Sequence, residues 1–220
     1  TREFIKIKVA EEGIYRISYS DLIAKGFSFS DENEIQLFRR GVEQAIFING
    51  NGNGFNASND YIEFFGEKND GLLDNELYFP NNLQPHAYHN LFSDTAVYFL
   101  TSRNGSNGKR TKNFNGVTSV QEDFYIAENL ILYTDRYAYG RRESKEMFVP
   151  FFSNGEGWFR NRILNGQSVV TSFPVTEVFN TTNVNYTPKV EVLVVGGSES
   201  TQIFNISVRN NNGVYVIKRT

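Results

Sequence analysis

Three groups of residues in this 220-residue chain have types and spacings that could do chemistry. Oxygen-bearing side chains alternate with glycine at Asn49, Asn51 and Asn53, and Asn56, Asn59 and Asp60 follow directly. Alternating oxygens suit a hard cation such as calcium, which takes about six to eight oxygen ligands at short range. Nearly all of these donors are neutral amides, however, and several carboxylates are normally needed to offset the dehydration of the ion. The stretch therefore reads as a polar loop without strong calcium affinity. His86 and His89, the only histidines, stand three residues apart. A zinc site would need further nitrogen, sulfur or carboxylate ligands, and the chain has no cysteine, so the pair reads as two loop histidines. Glu156 and Trp158 could form a sugar platform, the indole stacking on an apolar sugar face and the carboxylate accepting hydroxyl protons. Against this, Trp158 is the only tryptophan, and in a strand-rich domain a lone indole more often anchors a core. Glycosidase chemistry would also need a second, opposed carboxylate, and nothing in the sequence picks one out. No catalytic residue, cofactor-binding residue or metal ligand is assigned on these grounds.

The elements that would position such residues are strands. Ile5, Ile7 and Val9 share a face opposite Lys6 and Lys8, and Phe204, Ile206 and Val208 alternate with Asn205, Ser207 and Arg209, the pattern of half-buried strands. Ile46 and Ile48 lead into the Asn-Gly loop and Tyr61-Ile-Glu-Phe-Phe-Gly66 leads out of it, so the segment reads as strand, long polar loop, strand. One helix is expected, over residues 21–25, with Ser20 as its cap, Asp21 at its positive end and Gly26 closing it in the left-handed conformation. Turn signals recur at short intervals along the chain, which implies an all-β fold of sandwich or barrel type. Residues 102–121 are polar and contain Asn104-Gly-Ser-Asn-Gly-Lys-Arg110. They divide the chain into a domain over 1–121, with its one short helix, and a second β-sandwich over 122–220. In the second part, 125–133, 148–152, 169–179, 190–195, 203–208 and 214–217 supply about seven strands. A jelly roll usually has about eight, so the second domain is expected to be jelly-roll-like and incomplete.

Composition excludes some functions. With 22 Lys and Arg against 25 Asp and Glu, and no basic run beyond Arg39-Arg40 and Arg141-Arg142, the chain lacks the electrostatic footprint of a nucleic-acid binder. No run of about 18 apolar residues could span a bilayer as a helix. The first residue is Thr1 rather than Met, with no charged-then-apolar leader after it, so any signal peptide is expected to lie outside this chain. The 20 Phe and 12 Tyr residues suit half-buried β surfaces. Asp94-Thr95-Ala96 resembles a bacterial O-glycosylation acceptor pattern and equally reads as the start of a strand.

Several blocks, in order, carry a family resemblance. They are Ile7-Lys-Val-Ala-Glu-Glu-Gly-Ile-Tyr-Arg-Ile-Ser-Tyr-Ser-Asp-Leu22, the run from Leu37 to Gly66, Asn69-Asp-Gly-Leu-Leu-Asp-Asn-Glu-Leu-Tyr78 and Asn90-Leu-Phe-Ser-Asp-Thr-Ala-Val-Tyr-Phe-Leu-Thr101. Together they resemble the N-terminal region of PorU-type proteins, the gingipain-like cysteine peptidases of the type IX secretion system in Bacteroidetes. Arg39-Arg-Gly-Val-Glu-Gln-Ala45 and Gly155-Glu-Gly-Trp158 are closer to the second PorU-like homologue than to PorU itself. The resemblance implies a cell-surface protein at the extracellular face of the outer membrane, a sortase or a relative of it. It places peptidase chemistry in a caspase-like domain further along, where a cysteine thiolate attacks the peptide carbonyl and a histidine manages the proton. This chain has no cysteine, so it is not itself that enzyme. Its implied role is to position the downstream peptidase domain and to contact protein partners, namely an outer-membrane secretion component, a cargo sorting domain and its own peptidase domain. The alternative, from exposed aromatics, is a carbohydrate-binding or adhesive β-sandwich module with a glycan as partner.

Overall fold

The computed structural model describes residues 3–50, 54–112, 127–140, 151–172, 189–196, 202–210 and 213–219, with the backbone alone at 208–210 and 213–219. The protein is all-β, and each of its strand ladders is antiparallel. It divides into two compact units, residues 1–73 with 87–126, and residues 74–86 with 127–220. The expected boundary between 121 and 122 lies outside the described residues. The assignment of residues 74–86 to the second unit has no counterpart in the sequence reading. Within the first unit, Gly71 N–H donates to the Ala87 carbonyl at 2.9 Å, so the chain leaves and re-enters at adjacent points.

The first unit is built from β1 (Ile5–Val9), β2 (Gly13–Ser18), α1 (Tyr19–Ala24), β3 (Ile35–Arg39), β4 (Val42–Gln44), β5 (Phe47–Asn49), β6 (Tyr61–Gly66) and β7 (Ala96–Ser102). One sheet has the order β1-β7-β3-β4 and the other β2-β6-β5. Two-residue alternation decides which side chains go inside. In β1, Val9 is buried, Ile5 and Ile7 are half-buried, and both lysines are exposed. Leu37, Tyr98 and Leu100 from the first sheet meet Ile62 and Phe64 from the second in a single core, so the unit is a sandwich. Each such fully buried aliphatic or aromatic side chain contributes about 1.5–3 kcal/mol of transfer free energy.

Helix α1 begins two residues earlier than the sequence suggests. Its cap is Ser18, whose Oγ accepts the Asp21 N–H at 3.1 Å and donates to Asp21 Oδ2 at 2.6 Å. Ser20 lies inside the helix. Anchoring decides the shift: Tyr19 N–H donates to the Asp60 carbonyl at 2.8 Å, and the Tyr19 ring packs edge-on against Phe55 at 5.2 Å. These contacts fix the chain at the first residue of the helix. Gly26 follows the helix at φ 77°, the left-handed closure expected of it.

Residues 103–112 are tied to the sandwich. Gly108 N–H donates to Asn33 O at 2.7 Å, Thr111 N–H donates to Ile46 O at 3.0 Å, and Ile46 N–H donates to Lys109 O at 3.2 Å. Arg110 donates to the carbonyls of Ile35 at 3.0 Å and Glu32 at 2.6 Å.

In the second unit the strands among the described residues form two antiparallel pairs, β8 (Arg136–Tyr139) with β9 (Glu156–Phe159) and β10 (Phe204–Asn210) with β11 (Gly213–Arg219), and short 3-10 helices cover Asp74–Leu77 and Asn81–Leu83. Phe204 and Ile206 are half-buried while Asn205 and Ser207 are exposed, as alternation requires. The strands expected at 190–195 and 127–133 are not in ladders, nor are residues 169–172. Their apolar runs lack a neighbouring strand among the described residues, and a strand exists only through its ladder. The strand positions expected at 148–150 and 173–179 fall outside the described residues.

The two serines make different predictions. Ser18→Ala should destabilise the chain by about 1 kcal/mol through loss of the cap, and Ser20→Ala should stay within about 0.5 kcal/mol of the parent. Urea denaturation followed by circular dichroism separates the two, and equal effects would return the cap to Ser20.

Candidate functional site

The turn between β3 and β4 consists of Arg40 at φ 49° and Gly41 at φ 77°. Two consecutive left-handed residues form the tight turn whose twist matches an antiparallel hairpin. Glycine adopts this conformation freely, whereas arginine there costs on the order of 1–3 kcal/mol. The Arg40 side chain offsets that cost through its partners. Its Nη2 donates to Asn69 Oδ1 and to Asp70 Oδ1, both at 2.8 Å. Arg39, mostly buried, pairs with the Glu67 carboxylate and donates from Nη2 to the Lys68 carbonyl at 2.8 Å. Its guanidinium carbon lies 5.7 Å from the centre of the Tyr98 ring. Burial by itself would raise the Asp70 carboxyl. The Arg40 hydrogen bond, the Leu72 N–H and the charges of both arginines outweigh it and hold that carboxyl below its usual value.

Asn69 extends the cluster. Its N–H donates to Asp94 O at 2.7 Å and its side-chain amide to Ser93 O at 3.1 Å. Three separated segments of the chain thus meet around the Arg40 turn, carrying Arg39-Arg40, Glu67 to Asp70, and Ser93-Asp94. Thr95, beside them, donates its hydroxyl to Asp94 Oδ1 at 3.2 Å. Two of its cations, Arg39 and Arg40, are paired with two of its carboxylates, Glu67 and Asp70. These hydrogen bonds and ion pairs tie the three segments together.

The Asn-Gly loop joins β5 to β6, which pair through Phe47↔Glu63, Ile48↔Ile62 and Asn49↔Tyr61. Its one carboxylate, Asp60, is 1% exposed. Asp60 Oδ2 accepts the backbone N–H groups of Asn56 at 2.8 Å and Ala57 at 2.7 Å, which locks the end of the loop. A Cβ on Gly50 would come within 2.7 Å of the Gly54 backbone, so the loop closes on itself where only glycine fits. The loop is therefore held by its own backbone and its acid faces inward.

His86 belongs to the second unit and packs edge-on against Phe159 at 6.4 Å, while His89 belongs to the first. Among the described residues no three His, Cys, Asp or Glu side chains are grouped closely enough to hold a metal ion.

Glu156 and Trp158 share a face of the β8–β9 pair with Tyr139 and Tyr137, their partners in register. Tyr137 packs edge-on against Trp158 at 5.4 Å and against Tyr139 at 5.3 Å. The Glu156 carboxylate accepts the Tyr137 hydroxyl at 2.9 Å and the Ser153 N–H at 3.0 Å. Its backbone carbonyl accepts the hydroxyl of Tyr78, which is 1% exposed, at 2.8 Å. Both carboxylate oxygens are thus engaged within the unit. Burial, with the Glu156 and Asp74 charges adding to it, pushes the Tyr78 hydroxyl up to about 12. Burial and the hydrogen bond to Glu156 push Tyr137 up as well. Sequence reasoning missed both tyrosines. The period-two spacing of Tyr137 and Tyr139 was a signal, but nothing local indicated that Glu156 and Trp158 would lie opposite them.

No family model, curated protein or solved structure matches the chain. The class that fold and sites define is an all-β protein whose polar clusters stabilise loops and turns.

Two measurements follow. With Asp60 buried and engaged, calorimetric titration with calcium should reveal no site tighter than roughly 10⁻⁴ M, and a tight stoichiometric isotherm would contradict the closed loop. For the tyrosines, the folded chain keeps the Tyr78 and Tyr137 protons above pH 10, where the unfolded chain releases them. The unfolded state then binds fewer protons, so stability is full below pH 10 and falls as pH rises toward about 12. Tyrosinate absorbance should show two late-ionising hydroxyls, and Tyr137→Phe should remove one of them.

Proposed function

We propose that this chain is the non-catalytic N-terminal β region of a PorU-like, sortase-like protein of type IX secretion, closer to the second PorU-like homologue than to PorU. In this reading it works at the extracellular face of the outer membrane. It positions a peptidase domain and contacts a secretion component or the sorting domain of cargo. The supporting observation is the meeting of Arg39-Arg40, Glu67 to Asp70 and Ser93-Asp94 in one hydrogen-bonded cluster. Arg39-Arg40, Asn69-Asp70 and Ser93-Asp94 each belong to a separate block of the resemblance. The role is non-catalytic because the chain has no cysteine to supply a thiolate.

The carbohydrate reading has less support, since the Glu156 carboxylate is spent on Tyr137 and Ser153. Two tests decide. Incubated with peptides and with sorting-domain cargo, the chain should show no turnover above buffer, and copurifying cleavage that resists thiol blockers would overturn the non-catalytic role. The reading frame beyond Thr220 should encode a caspase-like domain with its His and Cys. A glycosidase domain there would overturn the secretion reading and favour the alternative.

A further inference from the structure

Beyond the Arg40 turn, strand β7 loses one of its two neighbours. The β3 ladder runs from Ile35↔Ser102 to Arg39↔Tyr98 and stops, because Arg40 and Gly41 turn the chain back into β4. Strand β7 runs on, and among the described residues Val97 and Ala96 pair only with Lys8 and Val9 of β1. A recess of about 290 Å³ is lined there by Arg39, Arg40, Asn69, Thr95, Val97 and Phe99, among others. The backbone of β7 forms one wall, apolar groups of Val97 and Phe99 contribute to the lining, and Arg40 supplies charge.

Arg40 retains capacity to bind. An arginine has five N–H donors, and Arg40 commits the two on Nη2 to Asn69 and Asp70. Its Nε and both N–H groups of Nη1 make no hydrogen bond among the described residues. The side chain is 28% exposed, so the guanidinium reaches solvent. Glu67 and Asp70 balance the two arginines, so an incoming anion gains from directed hydrogen bonds more than from a net positive field.

The recess is also short. Thr95, Ala96 and Val97 span roughly 10 Å in extended form. The Arg40 side chain reaches from the turn to Asn69, which is itself bonded to Asp94 O, so the guanidinium and Asn69 together close the recess at one end. An extended segment can lie along the flank for two or three residues and cannot run through, which selects a chain end. The Arg40 donors select a carboxylate over an amine.

We propose that this recess binds the free C-terminal end of an extended peptide, its backbone pairing with the vacated flank of β7 and its terminal carboxylate accepting from Arg40. This joins strand addition to carboxylate capture, two recognition modes that use main-chain groups for affinity. The recess belongs to the first unit alone, and the inference does not rest on the functional reading above.

The test is a nuclear magnetic resonance titration of the whole chain with acetyl-Thr-Val-Val bearing a free carboxylate, and with the same peptide amidated. Amide shifts should be confined to Arg40, Thr95, Ala96, Val97 and their neighbours. Amidation, or Arg40→Gln with the remaining spectrum unchanged, should weaken binding at least about tenfold, equivalent to about 1.4 kcal/mol. If Arg40→Gln disturbs the turn, Val97→Lys blocks the recess from the strand side and should abolish the shifts. No shifts with the free acid, equal shifts with the amide, or full binding by the Val97 variant would each overturn the proposal.

Discussion

A tyrosine buried in the centre of a sandwich must find a partner for its hydroxyl, and much of the first unit follows from how Tyr98 does so. Its ring is fully buried and packs 5.3 Å from Phe64 across the two sheets. Its hydroxyl accepts the Glu67 N–H at 2.9 Å. An unsatisfied buried hydroxyl costs about 1–3 kcal/mol, so the exit of β6 is held where that bond can form. Glu67 is then in place to meet Arg39, and Lys68 to Asp70 follow it past the β3–β4 turn. Packing between the sheets and the polar cluster at their edge are two sides of one residue.

A second regularity runs through both units. Short acidic and amide side chains accept backbone N–H groups that loops would otherwise leave unpaired. Asp60 does this for Asn56 and Ala57, Asn90 for Phe92 and Ser93, Asp31 for Asn33, and Glu156 for Ser153. Such bonds substitute for ladder bonds in connections where no strand is at hand. They explain why a chain rich in Asn and Asp offers many ligand-like spacings and few ligands. An oxygen that accepts two N–H groups at hydrogen-bond distance has little left for a cation.

What was legible in the sequence was whatever a local period encodes. Alternation placed Val9 inside and Lys6 and Lys8 outside, and it paired the strands around the Asn-Gly loop. Long-range register was not legible. Nothing near Arg40 indicates that Asn69 and Asp70 will be its partners, and nothing near Glu156 indicates Tyr78 or Tyr137, because those distances are set by the sheets. The helix cap was misplaced by two residues because Ser18 and Ser20 are equivalent locally. The choice was made by Asp60 holding Tyr19, forty-one residues away in the chain. At 190–195 a valine-rich run meets the local rule for a strand without a neighbour to pair with among the described residues.

The same division between local and non-local order bears on where function can reside. A catalytic site needs reacting groups converging on a space from which water can be shut out. In the clusters described here the carboxylates and hydroxyls are engaged by backbone groups and by one another's side chains. The Arg40 turn is different because the strain of a left-handed arginine is retained although glycine would remove it. What the arginine adds is a guanidinium fixed by Asn69 and Asp70 at the point where β7 loses its neighbour. A hairpin turn thereby becomes the end wall of a strand-wide recess, with hydrogen-bond donors already oriented and little side-chain freedom left to lose on binding.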